Sequence, residues 1–508
     1  MSDTLPELDL LIRGGTVIDG TRALRYDADV GLLDGRIVAI GALAGRTAKR
    51  TLDATGRIVA PGFIDSHTHD DQALLSQADM SFKVSQGVTT VIAGNCGISI
   101  APLRADTSLP SPLDLLDASD ARARFASFHD YFAELERTPP AVNVAALVGH
   151  STLRVITMAS LDREASPTEI ASMQALVSEA LAAGAIGLST GTFYPPAVKA
   201  TTEEIIAVGR PLSAAGGIYV THMRDEADKV MEALDETFRI GRELDVPVIV
   251  SHHKVQNVPN FGRSAVTLPH IRAAMQCQCV ALDCYPYTAG STMIRTDRGM
   301  LEGRVLIASS RPHPECAGRD LADIARDWGI DNDEAARRLQ PGSAIYFLMD
   351  EGDVRSILAF DETMIGSDGI PVGDKPHPRL WGTFPRVLGH YSRDVGLFPL
   401  ETAIWKMTGL TARNFGLRGR GTISVGQHAD VVVFDAATIR DAATYEAPTR
   451  PAEGIDAVIV NGVVTWQDGQ HSGARSGQVL RRQPHAARGA APLPSPGERP
   501  ASSPELSR

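Results

Sequence analysis

The stretch PGFIDSHTHDD (residues 61–71) ends an apolar, strand-like run with two histidines in an H-x-H pattern, His67 and His69. Residues i and i+2 of a strand face the same side, so both imidazoles are expected to point to one end of a sheet. An isolated H-x-H pair is a weak signal, but this pair follows VAPGFID, a run typical of a buried strand. The stretch therefore predicts the first strand of a central sheet, with metal ligands at its end.

Four more apolar runs end in a side chain that can bind a metal or carry a proton: Cys96 in IAGNCG (92–97), His222 in YVTHMR (219–224), His252 in VIVSHHK (248–254) and Asp368 in MIGSDG (364–369). A cysteine alone is more often a small buried hydrophobic residue, and an aspartate before glycine is as often a turn residue. Together they match a catalytic metal site, which has three protein ligands and an open position. We predict Cys96, His222 and His252 as metal ligands beside the histidine pair. Asp368 is predicted as the general acid/base.

Strand-like and helix-like segments alternate from residue 61 to 414, and eight strands alternating with helices predict an α/β fold with a (β/α)8 TIM barrel. His67 and Cys96 are 29 residues apart, and His222 and His252 are 30 apart, which is one strand–helix unit in each case. Surplus residues around 288–345 predict an insertion after strand 7. The clearest helix has Ser166 as N-cap and a glycine just past its end. In this fold the active site lies at the strand ends, where every candidate residue falls.

The sequence pattern at the two ends of the chain, 1–60 and 415–478, predicts short strands joined by tight turns. The turn signals are Asp34-Gly35 and Asn461-Gly462. We predict that they pair into one small β-sandwich-like domain; two unrelated sheets are the alternative. Residues 479–508 have almost no large apolar side chains, which predicts a disordered tail.

The chain of 508 residues carries a net charge of −12, which argues against nucleic acid or an anionic membrane as its partner. It has no apolar run long enough to span a membrane and no secretory signal, so we expect a cytoplasmic location. The five cysteines lack the spacing of a disulfide framework, which agrees with that location.

From residue 8 to about 475 these motifs resemble the D-aminoacylase (N-acyl-D-amino-acid deacylase) family of the amidohydrolase superfamily. Most members of the superfamily bridge two metals with a lysine at the end of strand 4, where this chain has Ser189-Thr190-Gly191 instead. D-aminoacylases use a cysteine of strand 2, which Cys96 matches. The resemblance implies a tight Zn²⁺ site at Cys96, His222 and His252. It also implies a second, weaker site at His67 and His69.

The resemblance also implies which residues bind the substrate, an N-acyl-D-amino acid that is split into a carboxylate and a free D-amino acid. Lys254, Tyr285 and Ser291 match the groups that hold the substrate carboxylate, and Arg379 is a second candidate for anion binding. The side-chain pocket is implied at Phe193, Met300, Tyr346 and Met349. The neutral thioether of Met349, in place of a cation, favours apolar side chains such as those of D-Met, D-Leu and D-Phe.

Two alternatives stay open at this point. One is a cyclic-amide hydrolase of the same superfamily, resembling hydantoinase or dihydropyrimidinase, which the missing strand-4 lysine argues against. The other is a non-catalytic scaffold, which normally loses the metal ligands that this chain keeps. The sequence leaves the acyl group, the oligomeric state and the number of metals undefined.

Overall fold

A computed structural model describes residues 6–104, 106–116, 124–297 and 299–482. The described residues form twenty strands: β1 (Leu8–Val17), β2 (Tyr26–Leu33), β3 (Arg36–Gly41), β4 (Ala48–Asp53), β5 (Ile58–Pro61), β6 (Phe63–Asp65), β7 (Val88–Ala93), β8 (Asn143–Gly149), β9 (Gly187–Gly191), β10 (Ile218–His222), β11 (Val248–Val250), β12 (Val280–Cys284), β13 (Gly290–Met293), β14 (Val305–Ser310), β15 (Gly342–Tyr346), β16 (Thr363–Ile365), β17 (Val431–Phe434), β18 (Ile455–Val460), β19 (Val463–Gln467) and β20 (Gln470–His471).

The α-helices of the same residues are α1 (Ala73–Ser76), α2 (Ser81–Val84), α3 (Phe128–Arg137), α4 (His150–Thr157), α5 (Pro167–Ala183), α6 (Thr202–Gly209), α7 (Pro211–Ala215), α8 (Val230–Leu244), α9 (Ser264–Met275), α10 (Leu321–Trp328), α11 (Asn332–Leu339), α12 (Glu351–Ala359), α13 (Arg379–Arg386), α14 (Leu400–Met407) and α15 (Gly409–Phe415). Helix α5 has the predicted capping box, in which Ser166 and Glu169 bond each other's backbone N–H groups, and Gly184 ends it in a left-handed conformation.

The predicted barrel is confirmed. Its parallel strands follow the order β6-β7-β8-β9-β10-β11-β12-β16. The first and last strands meet where the Ser66 N–H donates to the Ile365 carbonyl at 3.3 Å and Thr68 pairs with Gly369. Strands β7 to β11 are buried along their whole length, because helices cover the outside and side chains fill the inside.

Both ends of the chain contribute to one nine-stranded sheet, so the alternative of two unrelated sheets is wrong. Strands β1 to β5 come from the N-terminal end and β17 to β20 from the C-terminal end, and β5 joins them by pairing antiparallel with β17. The chain passes from this sheet into the barrel at Gly62, where a Cβ atom would lie 2.2 Å from the Thr89 side chain. At the two predicted hairpin turns, Asp34-Gly35 and Asn461-Gly462, all four residues have positive φ angles, as a type I′ turn requires.

The insertion after the seventh barrel strand, β12, is also confirmed. It is a three-stranded antiparallel sheet in the order β13-β15-β14, and α10 and α11 connect its last two strands. Its apolar side chains form a cluster that includes Cys96, so the insertion packs against the mouth of the barrel.

The predicted tail boundary at 479 is too early. Val479 pairs with Val144 of β8, and the Arg482 N–H donates to the Gly184 carbonyl at 2.8 Å, so these residues lie against the barrel. The rest of the predicted tail, 483–508, lies outside the described residues. Within the described parts of the chain, no helix is both long and apolar enough to cross a membrane.

Candidate metal centre and active site

All six predicted metal-binding and catalytic residues lie at the carboxyl ends of barrel strands. They are His67 and His69 after β6, Cys96 after β7, His222 at the end of β10, His252 after β11 and Asp368 after β16. Every one of these residues is buried, with at most 8% of its surface exposed. The barrel therefore collects them at one end, as their spacing predicts.

The sulfur of Cys96 lies at the middle of this group. It is 3.3 Å from Nε2 of His67, 3.4 Å from Nε2 of His252 and 3.7 Å from Nδ1 of His222. Ligand atoms of Asp368, Cys96, His67 and His252 all lie within 4.8 Å of one another. Side chains that follow four different barrel strands thus meet at one place.

These separations fit a tetrahedral metal. With Zn–S and Zn–N distances of about 2.3 and 2.0 Å, two ligand atoms on a tetrahedral zinc ion lie about 3.5 Å apart. The sulfur–nitrogen separations here, 3.3 to 3.7 Å, bracket that value. One thiol, several imidazoles and a carboxylate are also a ligand set that suits zinc.

Backbone strain concentrates at the same place. Cys96, His252 and Asp368 have φ angles of 54°, 35° and 49°, in the left-handed region that residues with a Cβ atom rarely adopt. Such conformations cost about 1 to 3 kcal/mol each and persist where the surrounding structure enforces them, typically at functional sites. All three residues lie in the turns that follow barrel strands, namely β7, β11 and β16.

The pKa values of the predicted ligands are shifted in directions that bear on metal binding, since a metal binds neutral imidazoles and a thiolate. Burial lowers the pKa of His222 and of His252 well below the ordinary value, so both rings are neutral. Burial also raises the pKa of the Cys96 thiol well above its ordinary value, and the Asp368 carboxylate adds to that rise. The thiol therefore releases its proton only when a cation takes its place, which links metal binding to proton release.

Asp368 is held by two cationic or donor groups. Its Oδ2 atom lies 2.9 Å from Nη1 of Arg379, and its Oδ1 atom lies 3.3 Å from Nε2 of His69. Burial alone would raise the pKa of Asp368, but the guanidinium of Arg379, together with His69 and the other nearby histidines, holds that pKa well below the ordinary value. The carboxylate is therefore ionised and able to accept a proton.

The residues predicted to hold the substrate carboxylate surround the ring of Tyr285. The guanidinium carbon of Arg379 lies 4.6 Å and the Lys254 Nζ atom 5.5 Å from the ring centre. Ser291 takes part through its backbone carbonyl, which accepts from Nη2 of Arg379 at 3.0 Å. The Lys254 ammonium also contacts Glu226 at 2.8 Å and Nδ1 of His252 at 2.7 Å.

The predicted side-chain pocket falls into two groups of contacts. Phe193, Met300 and Tyr346 share the apolar cluster that contains Cys96, and the Phe193 ring stacks on His222 with ring centres 5.0 Å apart. Met349 instead packs with Tyr285 and Tyr287, and Tyr285 donates its hydroxyl hydrogen to the Met349 sulfur at 3.8 Å. Met349 is therefore next to the residues that are predicted to hold the substrate carboxylate.

Sequence reasoning missed four buried residues that contact the site: Lys83, Glu226, Asp283 and Arg295. Asp283 accepts the His252 backbone N–H at 2.8 Å, and it is the last residue but one of β12, so the argument from strand ends applies to it too. Arg295 covers the Phe193 ring at 4.3 Å and pairs with Asp297. No comparable sequence signal pointed to Lys83, which lies on the one-turn helix α2, or to Glu226, which lies in the loop after β10.

Asp65, the last residue of β6, joins Lys83 to the loops that carry the site. Its Oδ2 atom accepts from the Lys83 ammonium at 2.7 Å, and its Oδ1 atom accepts the backbone N–H groups of Ser367 and His67 at 2.8 and 3.3 Å. The loops after the first and last barrel strands are thereby fixed to each other.

Comparison with known proteins adds to this geometry. A family model described as "Amidohydrolase family" matches residues 50–273 and 322–466. The chain is 59% identical over 481 residues to the D-aminoacylase of Alcaligenes xylosoxydans xylosoxydans, a match that covers 95% of this chain and 99% of that protein.

Solved structures of similar proteins match this chain over most of its length. A crystal structure of D-aminoacylase, 59% identical, covers 94% of this chain and 100% of its own, with a TM-score of 0.92. The N-acyl-D-glutamate deacylase of Bordetella bronchiseptica, complexed with zinc and a phosphonate inhibitor that mimics the tetrahedral intermediate, is 45% identical. It covers 94% of this chain and 100% of its own, with a TM-score of 0.91.

Proposed function

The chain belongs to the D-aminoacylase family of amidohydrolases, and from this premise we propose that it hydrolyses the amide bond of N-acyl-D-amino acids, releasing a carboxylate and a free D-amino acid. One observation carries the proposal. The Cys96 sulfur lies 3.3 to 3.7 Å from three imidazole nitrogens, beside the ionised carboxylate of Asp368. A metal-dependent hydrolase needs such a set of metal ligands next to a general base.

Zinc is the metal we propose for this centre. Cys96, His222 and His252 would hold the tighter ion, and His67 and His69 would hold a second, weaker one near Asp368. A bound zinc ion supplies a Lewis acid that polarises an amide carbonyl and makes water a better nucleophile at neutral pH. The donor separations and the soft thiolate ligand favour zinc over hard cations such as Mg²⁺.

Asp368 would move the proton in this reaction. Its low pKa keeps the carboxylate ionised at neutral pH, so it accepts the proton that the attacking water loses. The same carboxyl group then donates that proton to the nitrogen of the leaving amine. Arg379 keeps the carboxylate in place at 2.9 Å while the proton passes.

The α-carboxylate of the substrate would bind where Arg379, Lys254, Tyr285 and Ser291 meet. Two cations lie within 5.5 Å of the Tyr285 ring centre, and both are buried, so an anion there interacts with them in a weakly screened environment. This positions the amide bond next to the proposed metal centre and next to Asp368.

The amino-acid side chain would lie among Phe193, Met300, Tyr346 and Met349. All four residues are buried, and the charge of the nearby Arg295 is balanced by Asp297 at 2.7 Å. An apolar lining of this kind favours D-Met, D-Leu and D-Phe over acidic D-amino acids.

The test is metal analysis of the purified protein followed by a substrate panel. The panel holds N-acetyl derivatives of D-Met, D-Leu, D-Phe and D-Glu, the matching L-compounds and a hydantoin. We expect bound zinc and release of acetate from the apolar D-compounds, with the L-compounds and N-acetyl-D-Glu much slower. Preferential hydrolysis of hydantoin, or no transition metal in active protein, would refute the proposal.

A further inference from the structure

Glu226 is a buried carboxylate on the outer side of the two histidines proposed for the tighter metal. It lies in the loop between β10 and α8, with 2% of its surface exposed. Its Oε2 atom is 3.5 Å from Nε2 of His222, and its Oε1 atom is 3.1 Å from Nδ1 of His252. One carboxylate thus contacts both imidazoles.

The two rings present opposite nitrogens to Cys96 and to Glu226. His222 directs Nδ1 to the Cys96 sulfur and Nε2 to Glu226, whereas His252 directs Nε2 to the sulfur and Nδ1 to Glu226. A neutral imidazole has one N–H and one free lone pair. A carboxylate that accepts the outer N–H leaves the inner lone pair available for a metal and fixes the plane of the ring.

Glu226 is itself held in place from the His252 side. Its Oε1 atom accepts from the Lys254 ammonium at 2.8 Å, its Oε2 atom accepts from Nε2 of Gln256 at 3.0 Å, and its carbonyl accepts the Gln256 N–H at 2.8 Å. These contacts tie the loop after β10 to the loop after β11. The carboxylate has little freedom to move away from the histidines.

The ammonium of Lys254 shows that Glu226 is not a metal ligand. It lies 2.7 Å from Nδ1 of His252 and 2.8 Å from Oε1 of Glu226, so a cationic group already occupies the space between them. The ammonium can only donate, so it donates to Nδ1 of His252 on one side and to Glu226 on the other. Nε2 of His222 has no hydrogen-bond partner among the described residues, and Glu226 is the carboxylate that faces it. The charge of Lys254 also balances the buried carboxylate.

We propose that Glu226 is a positioning residue that sets the tautomer and the orientation of His222, so that the Cys96-facing nitrogen of that ring binds zinc. The inference rests on the metal centre of the proposed function. It extends that centre to a residue that contacts neither zinc nor substrate, and it makes the His222 ligand depend on that carboxylate.

The experiment measures Zn²⁺ affinity by chelator competition, with no substrate present, in the wild type, Glu226→Gln and Glu204→Gln. Glu204 is a matched control, because it is also buried, contacts His150 at 3.2 Å and pairs with Arg154 away from the metal centre. We expect Glu226→Gln to weaken Zn²⁺ binding by about 10- to 100-fold. Glu204→Gln is expected to bind Zn²⁺ like the wild type.

Co²⁺ in place of zinc gives a second readout. Glu226→Gln should still bind one equivalent at saturation and keep the thiolate-to-cobalt absorption, since Cys96 remains a ligand. Loss of an equivalent or of that absorption would make Glu226 a direct ligand and overturn the proposal. Zn²⁺ affinity unchanged from the wild type, or an equal loss in Glu204→Gln, would also overturn it.

Glu226→Asp provides the conservative variant. Aspartate keeps the charge, but its side chain is one methylene shorter and leaves the carboxylate farther from His222. Glu226→Asp should therefore recover part of the Zn²⁺ affinity that Glu226→Gln loses. If Glu226→Gln does not fold, Glu226→Asp carries the test, and wild-type affinity in it overturns the proposal. Because these measurements need no substrate, a failure of the substrate panel and a failure of this inference are separate results.

Discussion

Arg379 contacts Asp368 at 2.9 Å and covers the ring of Tyr285 at 4.6 Å, so one buried guanidinium joins the proposed general base to the proposed carboxylate-binding group. Its other contact, the Ser291 carbonyl at 3.0 Å, anchors it to the insertion. The same side chain thus contacts both the proposed base and the proposed binding site for the substrate carboxylate.

Replacing Arg379 with Met should alter the pH profile. Burial raises the pKa of Asp368, and the Arg379 charge is the main effect that lowers it, so the pKa rises when that charge is removed. The acid limb of kcat/KM then moves to higher pH, since more of the base is protonated at low pH. We also expect a loss of about 10²- to 10³-fold at the optimum. The pH–rate profile measures both, and an acid limb at the wild-type position would contradict the assignment. Arg379→Lys, which keeps the charge, should shift the limb less.

Cys96→Ser should lose most of the tightly bound zinc, because the thiolate is the softest ligand of the set and three imidazoles converge on it. Cys316→Ser is the control, since Cys316 is equally buried but lies in the insertion. Metal content after dialysis against a weak chelator gives the answer. Equal zinc retention in the two variants would argue against Cys96 as a ligand.

The barrel and the convergence of its strand ends could be predicted because both follow from periodicity. Parallel strands send their carboxyl ends to one edge, so a histidine after one strand and a cysteine after the next must meet there. The same logic applies to Asp283, the last residue but one of β12, whose carboxylate lies at the same edge.

Glu226 and Lys83 were beyond this kind of reasoning. Glu226 reaches the histidines from a loop, and Lys83 reaches Asp65 from a one-turn helix, so no strand or helix period relates them to the site. Likewise, the position of Met349 beside Tyr285 depends on how the insertion folds back on the barrel. The sequence indicates residue types at strand ends but not the directions of side chains in loops.

Asp368→Asn separates proton transfer from metal binding. The amide keeps the size of the side chain but accepts no proton, so kcat should fall by about 10²- to 10⁴-fold. Zinc at the tighter site should remain, because Cys96 and its histidines are unchanged. Parallel assays of kcat and metal content test this. Near-native turnover, or loss of the tight zinc together with activity, would assign Asp368 a different role.

Lys83→Met should destabilise the fold through the loops that carry the site. The Lys83 ammonium is fully buried and lies 2.7 Å from Asp65, 3.2 Å from Asp70 and 2.9 Å from the Ser367 hydroxyl. Without it, two buried carboxylates face each other with no cation, and breaking a buried pair in this way costs about 3 to 5 kcal/mol. Urea unfolding of metal-loaded protein measures the loss. Adding Asp70→Asn to Lys83→Met should recover part of the stability, since it removes one of the two uncompensated charges. A free energy of unfolding for Lys83→Met within about 1 kcal/mol of the wild type would contradict this prediction. The ammonium would then not be what holds the two loops together, and solvent or a rearranged loop would compensate the carboxylates.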